Sequence, residues 1–247
     1  MYSDLDRPPL LDLRSRAFRA PDGWQVDVVD STSSTNADVL AAARAGREPR
    51  YVLVAEHQSA GRGRLDRTWE SPPRAGLTFS ALLPAAPSPW VPLFAGVAVA
   101  AAIRSVCELD ALLKWPNDVL VDGKKTCGLL AEVAARPGAR SQVVLGVGLN
   151  VTTTAEELPT DRPATSLRLA GAAVTDRATL LRAILRELDV ERVPDNYRAV
   201  CASLGTQVVV HLPTGAQATG RADAIDDAGR IVVAGVAYAA GDVVHLR

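Results

Sequence analysis

Residues 114–132 read Lys-Trp-Pro-Asn-Asp-Val-Leu-Val-Asp-Gly-Lys-Lys-Thr-Cys-Gly-Leu-Leu-Ala-Glu. Short apolar runs at 112–115 and 119–121 have strand character and flank a Pro-Asn-Asp turn. The Asp-Gly pair at 122–123 then marks a hairpin into a further strand at 126–134, because both residues tolerate positive φ. Pro116 sets up the first turn, and Asn117 and Asp118 place an amide and a carboxylate at its tip. The hairpin brings Lys125 back across the sheet, so an ammonium and a carboxylate face one cleft. A charged hairpin with ordinary surface lysines is the competing reading. Of 27 basic residues only Lys114, Lys124 and Lys125 are lysines, all within twelve positions. That cluster points to a need for ammonium rather than guanidinium chemistry there, with chance as the alternative.

Outward from this hairpin the chain alternates between strands and helices. Strand character marks residues 24–29, 51–56, 77–83 and 142–150. The run Ser-Thr-Ser-Ser-Thr-Asn at 31–36 is rich in helix-capping residues and precedes a helix at 37–44, closed by Gly46. Residues 92–106 are apolar nearly all round, which predicts a buried helix. Asp176 caps an amphipathic helix at 177–188, and 192–203 reads as a further helix. From Gly205 the texture changes to short strands at 208–212, 218–225, 231–236 and 243–246, joined by Gly-containing turns. The expected organisation is an N-terminal arm over 1–23, a main unit over 24–203 and a small barrel over 204–247.

Residues 58–69 read Gln-Ser-Ala-Gly-Arg-Gly-Arg-Leu-Asp-Arg-Thr-Trp, which puts Arg62, Arg64 and Arg67 in one loop with Gly61, Gly63 and Trp69. Glycines let backbone N–H groups approach an anion, guanidinium forks match phosphate and carboxylate oxygens, and an indole stacks or shields. The combination suits a mobile loop that closes over a phosphorylated nucleotide; a solvated basic loop is the alternative. Two common nucleotide motifs fail. The dinucleotide fingerprint lacks its third glycine at Asp66, and Gly123-Lys124-Lys125-Thr126 lacks the earlier P-loop glycine, which falls on Asp118.

Composition removes several classes. Across 247 residues, 27 basic against 28 acidic side chains leave a net charge of −1, so the chain is not a strongly basic nucleic-acid binder. With 48% hydrophobic and 22% charged residues it is not globally disordered. Cys107, Cys127 and Cys201 are odd in number and share no short spacing, which argues against a disulfide framework or tetrahedral zinc site and for a reducing, cytoplasmic setting. The apolar stretch at 90–103 is shorter than the ~18–20 residues a bilayer span needs, and the N-terminus has no signal-peptide pattern, so no membrane association is expected.

Ser34-Thr35-Asn36, Gln58-x-x-Gly-Arg-Gly-Arg, Lys-Trp-Pro-Asn-Asp at 114–118, Lys125-x-x-Gly128 and Gly146-Val-Gly148-Leu-Asn150 stand in the order and spacing of the bacterial biotin protein ligases. The chain resembles that family over residues 24–247, including its end at Arg247. The resemblance implies an α/β (α+β) fold: a mixed sheet with flanking helices like that of class II aminoacyl-tRNA synthetases, followed by an SH3-like barrel. It also implies a two-step ligase. Biotin and ATP give biotinyl-5′-AMP and pyrophosphate, and the adenylate is attacked by a Lys of a biotin carboxyl carrier domain.

By matching positions, the resemblance gives Ser34, Thr35, Asn36 and Gln58 the ureido head of biotin. The valeryl chain and phosphate fall to Gly61, Arg62, Gly63 and Arg64, and further phosphate oxygens to Arg67. Trp69 packs beside adenine, Asn117 and Asp118 position the nucleotide and Mg2+, and Lys125 contacts both the biotin carboxylate and the α-phosphate. Gly128, Gly146 and Gly148 give the substrates room, Asn150 reads the adenine edge, and Arg247 approaches the nucleotide from the small barrel. Arg62, Arg64, Asp118 and Lys125 make up the catalytic set.

Asp66 and Cys127 depart from the family pattern, in which Gly and Ala are usual; Asp66 adds negative charge beside an anionic intermediate, and Cys127 is expected in a sheet interior. Only about 23 residues precede the core, too few for a three-helix DNA reader, so a monofunctional ligase without DNA binding is expected, as a monomer or weak homodimer. The rival readings are a lipoate or octanoyl protein ligase on the same scaffold and a non-catalytic biotin sensor.

Overall fold

A computed structural model describes residue 7 and residues 20–65, 67–70, 72–135, 138 and 140–246. Most of the expected arm at 1–23, Asp66 and Arg247 lie outside the described residues. The main sheet has seven strands: β1 (Gln25–Val29), β2 (Tyr51–Ala55), β3 (Gly76–Leu83), β4 (Ala111–Lys114), β5 (Asp118–Val121), β6 (Lys124–Ala134) and β7 (Gln142–Asn150). Their spatial order is β1-β2-β3-β7-β6-β5-β4, with β1 and β2 parallel and every other pair antiparallel.

Helices cover both faces of this sheet. Helix α1 (Thr35–Arg44), capped by the Ser34 hydroxyl, lies on one face, where Val39, Leu40 and Ala43 pack against Leu53, Leu82 and Val144. Helices α2 (Trp90–Cys107) and α3 (Arg177–Leu188) cover the other, where Leu93, Val99, Ile103 and Leu181 meet Leu77, Phe79, Leu145 and Val147. Strand β3 is therefore buried at every position, with Leu77, Phe79 and Ala81 facing the α2 side and Thr78 and Ser80 the α1 side. Burying each such Leu, Ile or Phe contributes about 1.5–3 kcal/mol. Helix α2 runs beyond the apolar stretch at 90–103 to Cys107. By length and composition it could cross a membrane, but over half of it is buried in this core.

The expected small unit is a five-stranded antiparallel sheet of β8 (Gln207–His211), β9 (Gln217–Ile225), β10 (Ile231–Val233), β11 (Val236–Tyr238) and β12 (Asp242–His245), ordered β11-β10-β9-β8-β12. The strand expected at 231–236 is in fact two. Ala234 and Gly235 both take positive φ (49° and 79°) and turn β10 back into β11. The helix expected at 192–203 is only α4 (Pro194–Arg198). Beyond it the backbone leaves the helix because the free edge of β4 captures it: Leu113 N–H donates to Val200 O at 2.9 Å, and Ala202 N–H to Leu113 O at 2.7 Å. All three cysteines are free and buried.

Candidate active site

Four segments converge on the α1 face of the sheet. The chain before α1 runs beside the start of the 58–69 loop: Ser59 N–H donates to Thr32 O and Ala60 N–H to Ser33 O, both at 3.0 Å. That pairing brings Gln58 to the first turn of α1. Its Oε1 accepts the Thr35 N–H at 2.8 Å and lies 3.0 Å from Thr35 Oγ1. Ser34, Thr35, Asn36 and Gln58 are all buried. Two residues not foreseen from the sequence complete this polar cluster. Ser80 on β3 donates its hydroxyl to Asn36 Oδ1 at 2.5 Å and lies 2.8 Å from Thr35 Oγ1. Glu132 on β6 accepts from Asn36 Nδ2 at 2.7 Å.

The floor is backbone at three glycines, with Leu130 beside them. Gly128 pairs with Gly148, and Leu130 with Gly146, across β6 and β7. A Cβ on Gly146 would collide with the Asn36 amide, and one on Gly148 would fall inside the Trp69 indole. Glycine is needed there for close approach, not for backbone conformation.

The loop itself is a tight flap. Its arms pair through Trp69 N–H to Gly61 O at 2.9 Å and Gly63 N–H to Arg67 O at 2.6 Å. This folds Trp69 back over the floor. The three arginines part company. Arg62 reaches Glu132 at 3.0 Å, Arg64 donates to Asn117 Oδ1 at 3.3 Å and Gly241 O at 3.4 Å, and Arg67 pairs with Asp242 on β12. Burial lowers the pKa of Arg64, against the opposing pull of Asp242 and Asp118. A cavity of about 530 Å³, lined by Gly61, Arg62, Arg64, Arg67, Leu130 and Glu132, lies between flap and β6. That is the size of a small-ligand site.

Lys125 owes its aim to a β-bulge. The register passes from Val119↔Cys127 to Leu120↔Lys125, leaving Thr126 as the extra residue. Thr126 and Cys127 are consequently both fully buried, while Lys125 and Gly128 emerge on the same face. Burial pushes the Cys127 thiol up, and it sits as a small apolar group in the sheet interior. Lys125 Nζ lies 2.6 Å from Asp118 Oδ1 and 5.5 Å from the centre of the Trp69 ring. Lys114 Nζ lies 3.1 Å from Asp118 Oδ2. Burial alone would raise the Asp118 pKa, but Lys125 and then Lys114 outweigh it and hold the carboxyl below its usual range.

This bears on the metal assignment. Asp118 spends both oxygens on ammonium groups. Among the described residues no group of three or more His, Cys, Asp or Glu side chains gathers as a cation site. A Mg2+ ion there would share the Asp118 carboxylate with the two lysines and take its remaining oxygens from substrate phosphates and water. Asn117 donates its amide to Leu129 O at 2.8 Å, and Asn150 gives its own to Thr165 O at 3.1 Å, so neither side chain hangs free. The role expected of Arg247 falls outside the described residues.

The geometry thus joins a buried polar cluster to a glycine floor beneath a cationic flap. Residues 27–150 match the biotin/lipoate A/B protein ligase family. The chain is 44% identical to the biotin–[acetyl-CoA-carboxylase] ligase of Mycobacterium tuberculosis, over 98% of this chain and 97% of that one. It is 35% identical to the bifunctional ligase/repressor BirA of Bacillus subtilis, over 64% of this chain and 50% of that protein. The fold is shared with the biotin protein ligase from Aquifex aeolicus solved with biotin and ATP, at TM-score 0.73 and 24% identity over 90% and 99% of the two chains. A point mutant of the Aquifex aeolicus ligase, in complex with biotin, matches at TM-score 0.68 and 25% identity over 85% and 91%. The chain belongs to the biotin/lipoate A/B protein ligase family, and within it is an enzyme of the biotin protein ligase kind.

Proposed function

We propose that this enzyme activates biotin with ATP and transfers it to one Lys of the biotin carboxyl carrier domain of a biotin-dependent carboxylase. In the first step a biotin carboxylate oxygen attacks the α-phosphorus of ATP. The bond to the bridging oxygen breaks, and pyrophosphate leaves with the electron pair. In the second, a neutral Lys amine of the carrier attacks the acyl carbon, the acyl–phosphate bond breaks, and AMP leaves as the amide sheds its proton.

The observation that carries this reading is the meeting of Lys125 with the Arg-bearing flap over a glycine-lined floor. Joining a carboxylate to a triphosphate forces two anions together. Fixed positive charge in a site screened from water lowers that barrier. Lys125 is the member suited to follow oxygens through the displacement, because its ammonium is compact and its stem flexible. On this reading Thr35, Asn36 and Gln58 hold the ureido ring, whose two N–H groups and one carbonyl need buried acceptors and donors. Arg64 and Arg67 attend the phosphates, Trp69 covers the intermediate, and Asn117 and Asn150 approach the nucleotide. The division of labour between a ligase unit at 24–203 and a small barrel at 204–247 belongs to the same proposal.

The test is mass spectrometry of a carrier domain after incubation with the enzyme, ATP and biotin, run beside an identical incubation with lipoate. A biotinyl adduct on one Lys is expected, and a lipoyl adduct instead would replace this reading with its rival. Lys125→Ala is expected to lose about 3–4 kcal/mol of transition-state stabilisation, with the fold intact. Undiminished pyrophosphate release by that variant would remove Lys125 from the mechanism.

A further inference from the structure

Glu132 stands on β6 beyond the glycine floor, opposite Val144. Its Oε2 accepts from two segments distant in sequence: Asn36 Nδ2 in the first turn of α1, at 2.7 Å, and Arg62 Nη2 in the flap, at 3.0 Å. The bond to Arg62 alone would mean little, since that guanidinium is 48% exposed and a surface ion pair is weak. The bond to Asn36 is of another kind, because the amide is buried.

An ionised carboxylate has no proton to give, so only the nitrogen end of the Asn36 amide can face it. The oxygen end must then face Ser80, which donates its one proton there, at 2.5 Å. Ser80 Oγ is left as an acceptor toward Thr35 Oγ1, 2.8 Å away. The orientations of Asn36 and Ser80 are thus set outward from one anion, while the Thr35 N–H and hydroxyl also face Gln58 Oε1, at 2.8 and 3.0 Å. Without the charge the amide keeps that sense only through its long contact with Leu130 O, 3.4 Å from Asn36 Nδ2, and turns over more readily at the point where a cyclic urea would be read.

We propose that Glu132 is a positioning residue for the ligase reaction. It fixes the donor polarity of Asn36 toward the biotin head and holds Arg62 with the same oxygen, so that recognition of biotin and closure of the flap share one anion. The inference rests on the function proposed above and adds to it a residue that touches no reacting atom.

The experiment uses the full chain with Glu132→Gln, which keeps shape and removes charge. Calorimetry gives the biotin Kd, pyrophosphate release gives KM and kcat, and filtration of the preformed adenylate complex gives its escape rate. Loss of a charge-assisted bond should weaken biotin binding ~10-fold, raise KM for biotin in step and speed adenylate escape ~10-fold, while kcat changes less than ~3-fold. Arg62→Gln leaves Asn36 untouched and tests the flap half separately. It should speed escape, and the double variant should escape no faster than Glu132→Gln alone. A biotin Kd and escape rate in Glu132→Gln equal to those of the unaltered chain overturn this inference alone. So does a fall in kcat at constant KM. If the charge-neutral variant fails to fold, an Arg62→Gln variant with unaltered escape is sufficient to overturn it. Failure of the unaltered chain to bind biotin overturns the proposed function as well.

Discussion

Asp118 sits between Lys125 and Lys114, and its charge state governs how both ammonium groups are held. Burial favours the neutral carboxyl, but the two lysines prevail and the pKa in the folded chain is depressed. A lowered folded pKa means that the folded chain gives up this proton more readily than the unfolded one. The stabilisation is complete above the unfolded value, about 3.9, and is lost as pH falls through the lower folded value. Asp118→Asn should therefore melt below the unaltered chain by a constant margin from about pH 5 to 8, and the margin should close below about pH 4. Melting curves across that range decide it; a margin that widens toward acid contradicts the assignment. The same pair of residues shows how far side-chain reading reaches. Lys125 and Asp118 were legible because charged groups flanking a turn have few places to go. Ser80 and Glu132 were not, because each looks like an ordinary alternating strand residue, and what distinguishes them is Asn36, 44 and 96 positions away.

At the scale of elements, turns decide where the strands fall. Gly123 takes φ 70°, and a Cβ there would meet nothing within 4 Å. Gly123→Ala should thus cost backbone strain and nothing else. Left-handed strain of about 1–2 kcal/mol less the backbone entropy that Ala recovers, about 0.5–1 kcal/mol, leaves a net loss near 0.5–1 kcal/mol. Ala234 is the mirror case: an exposed non-glycine at φ 49°, where Ala234→Gly should gain a similar amount. Urea midpoints of the two variants should move in opposite directions, and movement in the same direction would show that contacts, not φ, dominate. Asp122-Gly123 announces its hairpin in the sequence, whereas Ala234-Gly235 lies inside a continuous apolar run and does not. The bulge at Thr126 is hidden for a related reason. Lys-Lys-Thr-Cys carries no local signature, and the consecutive burial of Thr126 and Cys127 is set by the register with β5. The shortening of the helix after Arg198 is likewise a tertiary effect, since β4 offers hydrogen bonds to residues whose local preference is helical.

Across the whole molecule, the two sheets form one apolar body. Leu93, Trp115 and Val121 of the larger unit share a continuous cluster with Val208, Val210, Ile225 and Val243 of the smaller. Polar contacts cross the same junction. Trp115 donates its indole N–H to Gly229 O at 3.0 Å, Trp90 to Asp227 O at 2.8 Å, and Arg198 Nε to Ile225 O at 2.9 Å. The flap crosses it too, through Arg64 to Gly241 O and Arg67 to Asp242. A terminal barrel that merely followed the ligase unit would melt by itself. One that completes its core cannot, because separation would expose apolar residues of both sheets together. Scanning calorimetry should accordingly give a single transition with calorimetric and van't Hoff enthalpies in agreement. Trp115→Phe orphans the buried Gly229 carbonyl and should cost about 1–3 kcal/mol, at roughly 2–4 °C of Tm per kcal/mol for a chain of this size. Because the contact lies on the junction, that loss should lower the one transition as a unit. If the variant instead splits the melt into two, the junction is a docking contact and the units fold separately. The flap would then be anchored to a body able to move against the floor it covers.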